Sequence, residues 1–140
     1  ASRVRGIGEL VRPIDISGID LWIVLVNPRI FVSTRSVFEA VIEKHNKPLE
    51  PVTKFSSSDQ FITYLKRQRN DLEDIASNKW PEIKLVLNTI EKTGDVLLSR
   101  MSGSGSTCFG LYGSQETAKR AVSYINKKSN KWWIKFSKVN

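Results

Sequence analysis

The order of segments along this chain predicts an α+β protein of ferredoxin-like, split βαβ type: a four-stranded antiparallel sheet with helices on one face. Three observations carry that prediction. Residues 21–26 form an unbroken apolar run of strand length. Residues 96–100 and 107–112 are two further strand-like runs on either side of a serine- and glycine-rich turn. Residues 132–136 add a last strand after one more amphipathic helix. With a first short strand and the extra helices set aside, the order reads strand, helices, strand, strand, helix, strand.

Each element has its own signal. Residues 8–14 alternate in part and run into Pro13, which predicts a short strand of edge character. Asp15-Ile16-Ser17-Gly18 is a turn. Residues 21–26 are apolar throughout, so this strand is expected to be covered on both faces, and Asn27-Pro28 ends it. Ser33 and Thr34 are N-cap candidates. Val37, Phe38, Val41 and Ile42 follow at helical spacing, predicting about three turns before Asn46-Lys47-Pro48. Residues 48–58 carry two prolines and three serines and read as a loop.

A second helix begins near Ser58-Asp59 with Phe61, Ile62 and Leu65 on one face, and Asn70 interrupts it. Residues 71–75 start a short new turn with acids at its N-terminal end, where the helix dipole favours them. Pro81 takes the first position of a third helix, whose stripe is Ile83, Val86, Leu87 and Ile90 and whose end is Thr93-Gly94. After the strand pair, Gly113-Ser114 caps a helix carrying Ala118, Ala121, Val122 and Ile125.

Composition narrows the chemistry. With 140 residues, 40% hydrophobic and 26% charged, the chain can bury one core and does not resemble a disordered segment. No apolar run approaches membrane-spanning length, so no membrane partner is expected. The single Cys108 excludes an intramolecular disulfide, and the single His45 argues against a zinc site. Both suit a reducing, cytoplasmic setting. A hydrolytic triad would need His45, which lies in a polar stretch that reads as an exposed helix end. The net charge of +8 is concentrated late: Lys119, Arg120, Lys127, Lys128, Lys131, Lys135 and Lys138 face only Glu116 there. A solvated lysine-rich surface explains this; attraction of a phosphorylated ligand or nucleic acid is the alternative.

The most informative segment is Arg100-Met101-Ser102-Gly103-Ser104-Gly105-Ser106-Thr107-Cys108-Phe109. Two glycines one residue apart let a backbone turn tightly and approach a ligand. Successive N–H groups in such a turn can hold an anion. The segment lacks a P-loop lysine, and Cys108 stands where a dinucleotide fingerprint needs glycine, so a plain hairpin loop remains open on these grounds.

That segment resembles the glycine-rich loop in the second domain of GHMP kinases. Arg5-Gly6-Ile7-Gly8-Glu9-Leu10, Val26-Asn27-Pro28, Val32-Ser33-Thr34, Val37-Phe38, Arg69-Asn70-Asp71-Leu72-Glu73 and Trp132-Trp133 extend the resemblance in order over nearly the whole chain. More narrowly, they are similar to the branch acting on 4-diphosphocytidyl-2-C-methyl-D-erythritol in the non-mevalonate isoprenoid route. The resemblance implies a GHMP kinase C-terminal domain over residues 20–140. Residues 1–19 would then be a strand connecting from an N-terminal kinase domain that this chain lacks. It implies ATP and Mg2+ as cofactors of the full enzyme, with none bound by this chain alone.

It also implies roles for particular residues. Phe38 would stack on the substrate's cytosine and Thr34 would line the same pocket. Ser102, Gly103, Ser104, Gly105 and Ser106 would form the glycine-rich loop, and Asn70 and Asp71 would support it. The family's ATP-binding loop and its catalytic aspartate and lysine have no counterpart here. The expectation is therefore no catalytic residue, no metal ligand and no kinase activity in this chain alone, and Ala1 in place of methionine favours a piece of a longer protein. Two other readings compete: a non-catalytic remnant that binds a partner, and a basic RNA-binding ferredoxin-like domain with Tyr112, Trp132, Trp133 and Phe136 as its aromatics. The missing basic, glycine-rich opening disfavours the RNA reading, and no nucleic-acid partner is expected.

Overall fold

The computed structural model of the chain describes residues 2–5, 9–42, 46, 49–51 and 54–139. Two short strands come first. β1 (Ser2–Arg5) and β2 (Leu10–Pro13) pair antiparallel as a sheet of their own. The sequence predicts only the second of them, since Ser2-Arg3-Val4-Arg5 has too few apolar residues to announce a strand.

The main sheet consists of β3 (Trp22–Asn27), β4 (Leu98–Met101), β5 (Cys108–Tyr112) and β6 (Trp133–Lys138). Their order is β4-β5-β3-β6 and each neighbouring pair is antiparallel, with Ile23 opposite Leu111 and Val26 opposite Ile134. This is the four-stranded split βαβ sheet that the segment order predicts. β4 and β6 are its edges.

Side chains alternate across a strand, so each face of the sheet recruits its own partners. Val24, Val26, Met101, Cys108 and Tyr112 share a core with Ala76 of α3 (Glu73–Lys79), Ile83, Val86 and Ile90 of α4 (Pro81–Glu91), and Ala118, Ala121 and Ile125 of α5 (Gln115–Lys128). Helices α3 to α5 thus occupy one face, as the split βαβ plan requires. The opposite face is not bare. Leu98 and Leu111 meet Ile62 and Tyr64 of α2 (Ser58–Arg67), Phe55, and Ile16, Ile19 and Leu21 from the segment entering β3. The unbroken apolar run of β3 follows from having a core on each side.

Capping sets the helix starts. Pro81 sits in the first turn of α4. Ser57 and Ser114 accept from Gln60 N and Thr117 N, and Thr117 completes a capping box on α5. Residues 49–51 and 54–57 form no regular element, yet they are tied down. Tyr64 donates its hydroxyl to Glu50 O at 2.9 Å, and Phe55 packs edge-on to Phe61 with ring centroids 5.0 Å apart.

One element is much shorter than its periodicity predicts. α1 is Thr34–Glu39 and ends at Ala40, whereas the spacing of Val37, Phe38, Val41 and Ile42 predicts about three turns. Val37 is fully buried and Val41 half-buried, but Ile42 is 98% exposed, so the end of the apolar stripe is uncovered among the described residues. A β-branched pair that buries so little apolar surface does not sustain a helix. The predicted helix end around His45, Lys47 and Pro48 lies outside the described residues.

The α5–sheet contact should be costly to weaken. Ile125→Ala removes a fully buried side chain and is expected to destabilise the chain by about 2–5 kcal/mol in urea unfolding. Leu85→Ala, at a 56% exposed position of α4, is expected to stay within about 0.5 kcal/mol of the parent.

Candidate functional site

The β4–β5 connection is a tight loop. Ser102 N–H donates to Thr107 O at 2.8 Å, and Gly105 N–H folds back to Ser102 O at 3.0 Å. Gly103 and Gly105 have φ of 55° and 90°, where a side chain is strained. At Gly105 space is limiting as well: a Cβ there would lie 2.9 Å from Met101 Sδ and 3.1 Å from Ile83 Cδ1. The N–H groups of Gly103, Ser104 and Ser106 have no hydrogen-bond acceptor among the described residues. Such donors suit an anion.

Two segments grip this loop from different sides. On the first, Ser106 Oγ donates to Ile30 O at 3.1 Å, and Asn27 Nδ2 donates to Thr107 Oγ1 at 2.8 Å. Asn27 Oδ1 also accepts from Arg29 N at 2.7 Å, holding Arg29 at φ 60°. The sequence offers Ser33 and Thr34 equally as caps for α1. Ser33 takes the role, accepting from Ser36 N at 3.2 Å. The Thr34 hydroxyl is left for the loop and lies 2.8 Å from Ser104 Oγ. Thr34 and Phe38 are four residues apart on one helix and share a face. Phe38 is 55% exposed while its neighbour Val37 fills the core, so Phe38 is an available aromatic surface.

On the second side, Asn70 Nδ2 donates to Met101 O at 3.0 Å and to Gly103 O at 2.9 Å. Its Oδ1 accepts from Leu72 N at 3.1 Å, which fixes the side chain in this orientation. Asp71, expected to support the loop beside Asn70, instead pairs with Arg69 at 2.6 Å. The supporting carboxylate is Glu73, whose Oε2 accepts from Met101 N at 2.5 Å. Sequence reading assigns Glu73 no role. Its three-residue spacing from Asn70, across a predicted helix start, is the signal that was available.

Other candidates fall away from the site. Burial pushes the Cys108 thiol up to about 12, with the Glu73 carboxylate adding to the effect, so it stays protonated at neutral pH. Tyr112 is fully buried and its hydroxyl lies 3.0 Å from Thr93 Oγ1, while Phe136 packs on Trp22. Tyr112 therefore offers no base-stacking surface of the kind the RNA reading needs, Trp132 and Phe136 are half-buried, and Trp133 is 38% exposed. The basic end has more acidic neighbours than the linear sequence suggests. Arg120 pairs with Asp95 as well as Glu116, and Lys138 with Asp20. His45 lies outside the described residues. Among those described, no three His, Cys, Asp or Glu side chains cluster as metal ligands would.

Comparison with known proteins agrees with this layout. The family model described as "GHMP kinases C terminal" matches residues 59–131. A protein of Wolbachia sp. subsp. Drosophila simulans named 4-diphosphocytidyl-2-C-methyl-D-erythritol kinase is 41% identical over 94% of the chain, which covers 45% of that protein. A protein of the same name from Cereibacter sphaeroides is 36% identical over 96% of the chain and is covered over 49% of its own length. The chain therefore spans about half the length of the curated relatives it matches. Among solved structures, a 4-(cytidine 5'-diphospho)-2C-methyl-D-erythritol kinase aligns with TM-score 0.65 and 26% identity, covering 96% of this chain and 48% of that one. Homoserine kinase from Cytophaga hutchinsonii, at TM-score 0.64 and 17% identity over 93% of this chain and 44% of its own, shares the fold.

Two outcomes test the site's construction. Asn70→Asp replaces a donor by a carboxylate facing two carbonyls, and is expected to destabilise the chain by about 1–3 kcal/mol and to accelerate amide exchange at Gly105, read by NMR. Cys108 is expected to resist thiol–disulfide reagents at pH 8 until the chain unfolds. Its thiol ionises near its ordinary 9.0 in the unfolded chain but only near 12 when folded, so the stability it contributes is complete below pH 9 and declines as pH rises towards 12. The stability margin over Cys108→Ala should narrow across that range in urea titrations.

Proposed function

Because this chain belongs to the GHMP kinase C-terminal family, we propose that it is the substrate-side half of an ATP-dependent 4-diphosphocytidyl-2-C-methyl-D-erythritol kinase. The observation that carries this reading is the 2.8 Å contact between Thr34 and Ser104. It joins a helix face bearing an exposed aromatic to a loop with three N–H groups to spare. A cytidine diphosphate ester needs both kinds of surface: a flat apolar face for the base and fixed hydrogen-bond donors for phosphate oxygens.

On this reading Phe38 stacks on the cytosine and Thr34 lines its edge. The N–H groups of Gly103, Ser104 and Ser106, with the serine hydroxyls, face phosphate oxygens near the reacting end. Fixed donors in a cleft stabilise charge that develops during phosphoryl transfer without reorganising at that moment. ATP supplies the phosphoryl group for the substrate's 2-hydroxyl. The loop's donors suit phosphate oxygens, but this chain offers no acidic cluster for Mg2+ among the described residues. The metal's ligands and the base that accepts the hydroxyl proton are assigned to the N-terminal half, together with the ATP-binding loop. The chain alone is therefore expected to be inactive.

The test is ATP-dependent turnover of the cytidylated substrate by the full-length protein, or by this chain rejoined to a compatible N-terminal half. Phe38→Ala is expected to raise KM for that substrate roughly 5- to 150-fold, corresponding to about 1–3 kcal/mol of stacking, with kcat changed little. Phe38→Tyr should remain near the parent. A folded full-length protein that phosphorylates another alcohol and leaves this one untouched overturns the substrate assignment.

A further inference from the structure

Resting on the reading of the glycine-rich loop as one wall of a kinase cleft, we propose that Glu73 is a positioning residue for phosphoryl transfer. It acts through Met101 and touches neither Thr34 nor Phe38. β4 is an edge strand, so alternate N–H groups along it turn away from β5 and need another acceptor. The Met101 N–H finds that acceptor in Glu73 Oε2. The carbonyl of the same residue is taken by Asn70. Both polar groups of Met101 are thus held by one short stretch of chain.

That stretch is itself rigid. Glu73 N donates to Asn70 O at 3.0 Å, and Leu72 N donates to the Asn70 side chain. Three residues after Glu73, Ala76 is fully buried and anchors α3 in the main core. What Glu73 fixes is transmitted by contact. The Met101 side chain is 1% exposed and lies directly beneath Gly105, where an added Cβ would come within 2.9 Å of its sulfur. Gly105 in turn is flanked by Ser104 and Ser106, two of the residues with N–H groups to spare. A shift of Met101 therefore re-aims the donors that face the phosphates.

Reach and hydrogen-bond acceptance are what this role requires, and three substitutions separate them from charge. Glu73→Gln keeps the length and an acceptor oxygen. Glu73→Asp keeps the charge but is one methylene short. Glu73→Ala removes both. In the full-length protein, Glu73→Asp and Glu73→Ala are expected to lower kcat about 10- to 100-fold, with KM for either substrate within about twofold of the parent, and Glu73→Gln is expected to restore kcat. In the same three variants of this chain, amide exchange at Gly105 should rise about 10- to 100-fold for Asp and Ala and return for Gln, read by NMR.

An active Glu73→Asp beside an impaired Glu73→Gln would mean that charge matters and reach does not, and would overturn the proposal. So would losses confined to KM, or Gly105 exchange that none of the variants changes. If Glu73→Ala fails to fold, the contrast between Asp and Gln decides. If the full-length protein turns over no cytidylated substrate, the proposed function fails, and Gly105 exchange still decides whether Glu73 holds the loop.

Discussion

A loop that offers backbone N–H groups to an anion must keep its carbonyls occupied elsewhere, because a C=O turned into the same space repels what the N–H groups attract. In this chain the Asn70 amide meets that constraint. One NH2 group takes the carbonyls of Met101 and Gly103, leaving the N–H groups of Gly103, Ser104 and Ser106 without acceptors among the described residues. Serine or aspartate at this position has no pair of donors on one nitrogen. The rest of the site is arranged around that contact: Glu73 secures the strand below it, and Ile30 and Thr34 secure the far side.

The same constraint explains why the loop sits at the edge of the sheet. In a central strand both flanks of β4 would be committed to ladder hydrogen bonds. At the edge, one flank is free to be held by α3, so the loop's setting depends on the packing of α3 and α4 against the first core. Ile83 shows the link most directly. It is fully buried in that core, and it also lies where a Cβ on Gly105 would come within 3.1 Å. Core packing and loop shape are therefore the same contact, seen from two sides.

The strands and longer helices were legible in the sequence because burial on one or both sides writes a period into it. The run at 21–26, the stripe of Ile83, Val86 and Ile90, and the Ser114 cap are of this kind. Features that depend on distant partners were not legible. α1 stops early with Ile42 exposed among the described residues, and no local pattern records an absent neighbour. Pairing of β1 with β2 is hidden in a segment with little apolar content. α2 lies on the second face of the sheet because Leu98 and Leu111 point there, which becomes clear only once the strands are registered. At the site, the resemblance named Thr34, Phe38 and the loop, and Asn70 with them. It drew attention to Asp71 where the structure puts Glu73 on the loop, because acids next to one another at a helix start look alike until the turn is built.

What the loop and the segments around it contain also limits what they do. The groups facing the loop are backbone N–H donors, serine and threonine hydroxyls, and an exposed aromatic ring. Of the carboxylates nearby, Glu73 is engaged with Met101 N and Asp71 with Arg69. The buried thiol of Cys108 stays protonated, so it is no nucleophile at neutral pH. Donors of this kind can bind and orient a phosphorylated ligand, but they cannot take a proton from an alcohol. On the proposed function, the acceptor for the proton and the ligands for a cation come from a second wall. On that reading, division of a kinase cleft into a donor wall and a base-bearing wall is the arrangement under which this loop's composition makes chemical sense.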